Sequence, residues 1–338
     1  MQRVTNVTIL FLLSLLVITS SVAANEAVYQ RVKRSTVWIV RPDGSSGSGV
    51  LVDADRRLVV TNAHVVGSYR KLTVFAPVND TYGRIWRRTS YFRDAQRLGR
   101  LGYAAVGEVI AYSSRKDLAV VRLASNLRGL NEIELADGEP DVGDGLHVVG
   151  NPADRPLFTY CYGGARYCGS HSWTYDSGQY VHADVVTFSG HIWGGNSGGP
   201  VANSRGELVG VITGSNDTTG IAISLSEIKR LLGTVKWRSV FCIQNDTPAT
   251  VYLAVRTAPE EGWERLAITA GRGRIWWGDD VSDVRVQFDW SFAEGYQGVD
   301  YDLDTYYVLL GDGVSAKPDQ ARQYRFASVR GGVNLYAK

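Results

Sequence analysis

Cysteine is scarce in this 338-residue chain, and so is any excess of charge. The three cysteines, Cys161, Cys168 and Cys242, form no C-x-x-C pair, and His171, three residues after Cys168, is the only nearby histidine. Such spacing lacks the paired ligands of a structural zinc site, so neither a metal nor another cofactor is expected. The formal net charge is +2, far short of the broad basic surface that holds phosphates along a nucleic acid. No nucleic-acid partner is expected, and electrostatic recognition must be local. No Pro- or Ser-rich linker divides the chain. Hydrophobic residues make up 44% and charged residues 21%, an ordinary globular balance with room for two domains.

One apolar run stands out at the N-terminus, from Ile9 to Val17, preceded by Arg3 and followed by the small residues Ser21, Ala23 and Ala24. This layout predicts an export signal over residues 1–24, cleaved near Ala23 or Ala24. A buried helix and an uncleaved anchor are the other readings, since the run with its flanks approaches spanning length. Cleavage leaves no stable membrane insertion and a secreted or periplasmic product. In that oxidising setting Cys161 and Cys168 are expected to close a small hairpin-like loop by a disulfide, with Cys242 left alone.

From Ser35 to about Leu232 short β-rich runs alternate with Gly, Asn, Asp and Ser turns: Thr36 to Val40, Gly49 to Val52, Leu58 to Thr61, Leu72 to Phe75, Leu118 to Leu123, Leu146 to Val149 and Leu208 to Thr213. Many short strands at this spacing predict an all-β sandwich or barrel. A helix closes the region. Ser224 precedes Glu227 by three residues as in a capping box, Leu225, Ile228, Leu231 and Leu232 follow helical spacing, and Gly233 is the stop. The same stretch contains Ser226 and Lys229 in an S-x-x-K pattern; without its S-D-N and K-T-G companions it reads as helix surface. A second set of strands follows: Val240 to Ile243, Thr250 to Arg256, Arg274 to Trp277, Val284 to Trp290, Tyr306 to Leu310 and Tyr324 to Val329. The domain limits are therefore drawn at 25–236 and 237–338, the latter long enough for a small β-sandwich.

The chemistry concentrates around Gly194-Gly-Asn-Ser197-Gly-Gly-Pro200. Glycines on both sides of Ser197 let the backbone turn tightly and aim amide hydrogens at a developing oxyanion. The run satisfies G-x-S-x-G, the nucleophile elbow of α/β-hydrolases, but those enzymes place their histidine after the serine. The five histidines are His64, His147, His171, His182 and His191, so none follows Ser197 and chain order removes that reading. The order His, Asp, Ser is that of chymotrypsin-type proteases. His64 ends an apolar strand in Val59-Val-Thr-Asn-Ala-His64, and Asp117 opens a buried one in Arg115-Lys-Asp117-Leu-Ala-Val-Val. A serine nucleophile needs both: an imidazole to take its proton, and a buried carboxylate to orient that imidazole.

Gly47-Ser-Gly49-Val-Leu-Val, Thr61-Asn-Ala-His64-Val-Val, Lys116-Asp117-Leu-Ala-Val, Val149-Gly-Asn-Pro152, Gly195-Asn-Ser197-Gly-Gly-Pro200 and Gly220-Ile-Ala-Ile appear in this order and resemble the segments of HtrA/Deg-type trypsin-like serine proteases over about Ser35 to Leu232. The resemblance implies a chymotrypsin-like double β-barrel with the site between the barrels, and endopeptidase action on protein or peptide substrates through an acyl-enzyme. It implies His64, Asp117 and Ser197 as catalytic triad and the amides of Gly195 and Ser197 as oxyanion hole. Thr213, Gly214 and Ser215 would line one wall of the substrate pocket, with His191 either near its base or a surface loop residue. Asn196 departs from the digestive branch, whose aspartate pairs with a newly cut N-terminus; a neutral amide makes no such ion pair, so activity without zymogen cleavage is expected.

Other features stay outside this match. The stretch from Pro152 to His191 fits the family less well. Arg84, Arg87, Arg88, Arg93, Arg97 and Arg100 interleave with Trp86, Tyr91 and Phe92, either an exposed loop with a solvated basic face or a grip for acidic polymers. Asp300, Asp302 and Asp304 alternate with Tyr301 and Leu303, which favours a strand with an acidic edge over a calcium loop. The C-terminal region has no recognisable PDZ pattern, and Trp263, Trp276, Trp277 and Trp290 are expected in its core. The rival reading is a catalytically idle binding or scaffold protein acting through this C-terminal β domain. The sequence leaves the oligomeric state open.

Overall fold

The computed structural model describes residues 25–190, 192–216, 218–279, 283–294 and 299–338. The expected export signal and His191 lie outside the described residues. The chain divides into two compact units, one ending at Gly233 and one beginning at Thr234.

The first unit opens with a helix over residues 25–33, α1. Strands β1 (Thr36–Val40), β2 (Ser46–Asp53), β3 (Leu58–Thr61), β4 (Lys71–Phe75), β5 (Ala104–Ser113) and β6 (Leu118–Leu123) follow. They close into a barrel in the order β1-β2-β3-β6-β5-β4, with β4 pairing back onto β1. Strands β7 (Gly145–Gly150), β8 (Thr159–Thr174), β9 (Tyr180–Ser189), β10 (Pro200–Ala202), β11 (Leu208–Ser215) and β12 (Thr219–Ser224) form the second, in the order β10-β11-β12-β9-β8-β7. Closure leaves no free sheet edge, which is why β3 and most of β6 read as unbroken apolar runs buried along their length. Short helices α2 (Ala63–Val66) and α3 (Ala95–Arg100) sit between first-barrel strands, and α4 (Leu225–Gly233) closes the unit. In α4, Glu227 does not reach back to Ser224 as a capping box requires. It is buried and receives Lys116 Nζ at 2.7 Å, Asp184 N at 3.2 Å and an ion pair from Arg230.

The second unit is β13 (Lys236–Asn245), β14 (Val251–Arg256), β15 (Glu264–Ile268), β16 (Gly273–Gly278), β17 (Val284–Phe288), β18 (Val299–Leu303), β19 (Tyr306–Leu310), β20 (Arg322–Val329) and β21 (Gly332–Ala337). One sheet runs β16-β13-β20-β21, with β19 pairing the first half of β13 on the same side as β20; a second runs β15-β14-β17-β18. Phe241, Ile243, Tyr324 and Phe326 of one sheet share a core with Leu253, Val255, Val286 and Phe288 of the other, the inner faces of a β-sandwich. Of the tryptophans expected in the core only Trp276 is buried, stacked on Phe241 at 4.9 Å, while Trp277 and Trp290 are 40% and 53% exposed. Adjacent strand residues face opposite sides, so Trp276 and Trp277 cannot both point inward. Asp300 and Asp302 fall on β18 and Asp304 just past its end; Asp302 meets Arg285 at 3.2 Å and Leu303 turns into the core.

The cysteine expectation requires correction. Cys161 and Cys168 lie on the same strand, β8, seven residues apart, and each is a thiol. At strand rise they are about 23 Å apart along the chain direction, beyond any disulfide span. Burial pushes the Cys161 thiol up to about 11, and Cys168 Sγ faces Pro140 O at 3.3 Å.

Candidate active site

His64 sits on α2, one turn past the end of β3. Its Nδ1 lies 2.8 Å from Asp117 Oδ2, and its backbone N–H donates to Asp117 Oδ1 at 3.0 Å. Asp117 occupies the β5–β6 turn in the left-handed region, φ 51°, which non-glycine residues rarely adopt. Asn62 Nδ2 fixes that turn by donating to the Asp117 carbonyl at 3.0 Å. The Asp117 side chain is wholly buried, while that of His64 is 30% exposed. The imidazole thus has one edge against a fixed carboxylate and one toward solvent.

Two further side chains meet this carboxylate. Thr213 Oγ1 on β11 donates to Oδ2 at 2.5 Å, and Tyr175 OH, between β8 and β9, lies 2.9 Å from the same oxygen and 2.8 Å from Thr213 Oγ1. The Asp117 carboxylate can only accept, so Tyr175 OH is the donor of that contact; the Thr213 carbonyl, 3.2 Å away, is a second acceptor for the same hydroxyl. The Tyr175 ring also lies 5.2 Å from that of His64. Burial, and after it the Asp117 charge, push the Tyr175 hydroxyl above the usual tyrosine range, so it remains a donor at any physiological pH.

Ser197 lies on the loop between β9 and β10. Its carbonyl accepts from Ser48 N at 2.8 Å. A Cβ on Gly47 would stand 2.8 Å from Val65 Cγ1 and 3.2 Å from Ser197 O, so only a glycine-width strand separates the serine from the helix that carries His64. The loop is pinned at several points. Gly198 N donates to Ile212 O at 2.7 Å, Gly199 N to Asn196 O at 2.8 Å, and Ala153 N to Gly194 O at 2.9 Å. Gly198 has φ 83°, and a Cβ there would meet Ser48 O at 2.1 Å, so neither the conformation nor the space admits a side chain. Among the described residues, the amides of Gly195 and Ser197 donate to no protein acceptor, whereas those of Asn196, Gly198 and Gly199 do.

Behind the loop, Ser48 Oγ donates to Gly195 O at 2.9 Å and accepts from Asn151 N at 2.8 Å; Asn151 also bridges Val37 O and Phe158 N. The Asn196 side chain is fully buried, and among the described residues neither Oδ1 nor Nδ2 has a hydrogen-bond partner and no cation meets it.

Of the residues expected to line the pocket, Thr213 turns its side chain to Asp117 instead, at 2% exposure; the register shift of β11 between Ile212 and Gly214 sets this orientation. Gly214 faces open space, and Ser215 Oγ donates to Ile192 O at 3.2 Å. Sequence reasoning missed Tyr175, Ser48, Asn151 and Glu227. Ser48 and Asn151 lay inside matched segments; nothing near Tyr175 marked it.

Two closed antiparallel barrels with a His-Asp pair and a glycine-flanked serine define the chymotrypsin-like class of fold. Residues 47–211, all within the first unit, match the model of the trypsin-like peptidase domain, and the sequence relatives are serine proteases of the DegP type. A probable serine protease do-like of Buchnera aphidicola is 32% identical over 55% of this chain and 34% of its own length. The periplasmic serine endoprotease DegP of Escherichia coli is 29% identical over the same shares. The matched stretch thus spans about a third of these relatives. Among solved structures, a Mycobacterium tuberculosis protease in its active form is 23% identical, covering 62% of this chain and 85% of that one at a TM-score of 0.49.

Proposed function

We propose that the protein is an exported serine endopeptidase that hydrolyses protein substrates by way of an acyl-enzyme. The observation that carries this reading is the buried Asp117 carboxylate held against His64 Nδ1 at 2.8 Å, beside a serine loop whose Gly195 and Ser197 amides make no hydrogen bond among the described residues. Asp117 fixes the tautomer in which Nδ1 carries hydrogen, so Nε2 is the base that takes the Ser197 Oγ proton as Oγ attacks the scissile carbonyl. The negative charge that forms on the carbonyl oxygen is received by the two available amides; each such donor contributes about a hundred- to thousandfold in turnover. His64 then gives its proton to the leaving amine, and water repeats the sequence on the ester.

Export follows from the N-terminal apolar run and the small residues after it, and agrees with the periplasmic relatives. The second unit, with its exposed Trp277 and Trp290, is a separate domain at about 237–338. The test is release of fluorescent peptides from labelled casein by the purified chain. Hydrolysis that disappears in Ser197→Ala supports the reading. Absence of hydrolysis across several protein substrates, with the protein folded, would move the idle-scaffold alternative ahead.

A further inference from the structure

A concentration of unbalanced positive charge lies away from the serine loop. A cavity of about 850 Å³ opens where α1 meets the loop after β4 and the segment that follows β6. Its wall carries Lys33, Arg34, Arg84, Arg87 and Arg128 against the single acid Glu26. Glu26 binds an amide, Gln30 Nε2 at 2.6 Å, rather than a cation. Arg84 alone has a carboxylate, Asp80 at 2.9 Å. Among the described residues no carboxylate lies within ion-pair distance of Lys33, Arg34, Arg87 or Arg128. A concave wall with one sign of charge focuses its potential inward and concentrates counter-ions.

The cations at the base are held, not loose. Lys33 is 8% exposed; it donates to Gln30 Oε1 and lies 5.2 Å from the centre of the Tyr29 ring. Arg87 Nη2 donates to Tyr29 OH at 2.8 Å and Nη1 to Phe158 O at 3.4 Å, and Arg128 lies over the Tyr103 ring at 5.7 Å. Burial first, and then the Arg87 and Arg34 charges, lower the Lys33 ammonium from its ordinary range, the mark of a cation among cations. The Glu26 charge opposes this lowering without outweighing it, so an anion in the cavity would return part of the cost of burying the ammonium.

We propose that this cavity is a binding site for an anion carrying two or more phosphate-type charges, seated on Lys33 and Arg87 and closed in by Arg34 and Arg128. Guanidinium forks match tetrahedral oxyanions two oxygens at a time, which favours phosphate over a monocarboxylate. The phosphates come from a free diphosphate or from a phospholipid headgroup.

The probes are inorganic pyrophosphate, titrated calorimetrically into the full chain at low salt, and vesicles of phosphatidylglycerol in a sedimentation assay. Arg34 and Arg128 are exposed, so Arg34→Gln/Arg128→Gln keeps the fold. Arg93→Gln/Arg97→Gln, which lies outside the cavity wall, removes the same charge as a control. Pyrophosphate binding weakened at least about tenfold in the first pair, the loss of two exposed charge contacts, and unchanged in the second supports the site. A free ligand is indicated when vesicles do not sediment the protein, and a headgroup when they do so in competition with pyrophosphate. No binding to either probe, or binding lowered equally by both pairs, overturns the proposal.

Discussion

Replacing Tyr175 by phenylalanine deletes one oxygen while leaving the ring on His64, and the size of the effect follows from what Asp117 retains. Tyr175 OH lies 2.9 Å from Oδ2, and a hydrogen bond to a charged group contributes about 1.5–3 kcal/mol. The low end applies, because Oδ2 keeps Thr213 Oγ1 at 2.5 Å and His64 Nδ1 at 2.8 Å. A loss of roughly 1.5 kcal/mol, felt wherever the imidazolium forms, slows attack about tenfold. Tyr175→Ala also strips the ring from His64 and admits water to the carboxylate; a further loss of about tenfold is expected, with Coulomb attraction weakened by the higher local dielectric. The assay is the second-order rate of labelling by a fluorophosphonate, which needs no peptide preference. Because burial and the Asp117 charge raise the tyrosine pKa, the Tyr175→Phe deficit should hold constant from about pH 6 to 9. Wild-type rates in both variants, or a deficit that vanishes in mild alkali, would refute the argument that Tyr175 positions the His64–Asp117 pair.

Glu227→Gln should lower the unfolding temperature of the first unit by about 3–6 °C, from roughly 1–2 kcal/mol lost when Lys116, 28% exposed, is left to water. Although burial raises the carboxyl, Lys116, Asp184 N and Arg230 outweigh it and hold Glu227 below its ordinary 4.5. A depressed folded pKa gives stability that is full above 4.5 and lost as pH falls through the folded value. The gap between wild type and variant should therefore close on acidification in thermal scans; a gap that persists in strong acid contradicts this. Asn196→Asp would bury a carboxylate where the native side chain is 0% exposed and, among the described residues, meets no cation, at a cost of several kcal/mol. Fluorophosphonate labelling should fall sharply, and a fully active variant would reveal a cation reaching the site, a cut chain terminus included. Intact mass spectrometry should show no change on reduction, and Cys161, its pKa pushed up to about 11 by burial, should react with iodoacetamide only slowly at pH 8 in the native state.

His64 and Asp117 were legible because each adjoins a strand that is itself legible, His64 following β3 and Asp117 preceding β6, largely buried apolar runs, whereas Ser197 was legible from its flanking glycines alone. β5 went unread. Gly107 breaks its pattern, required because a Cβ there would stand 2.5 Å from Val121 Cγ1. β8 and β9 were hidden for the opposite reason. Much of the distal part of β8 is exposed, so hydrophobic alternation fades where the hairpin leaves the core. Tyr175 therefore looked like one aromatic among several, since its partner Asp117 is 58 residues away in sequence. Glu227 showed capping-box spacing with Ser224, but its partner Lys116, 111 residues away, decided its orientation.

The most direct test of the central claim is to label the purified chain with a fluorophosphonate, digest it and locate the adduct by mass spectrometry, alongside His64→Ala and Ser197→Ala. Modification confined to Ser197 in the wild type and lost in both variants is the predicted result. An unmodified Ser197 in folded protein, or labelling that survives His64→Ala at the wild-type rate, would contradict the account.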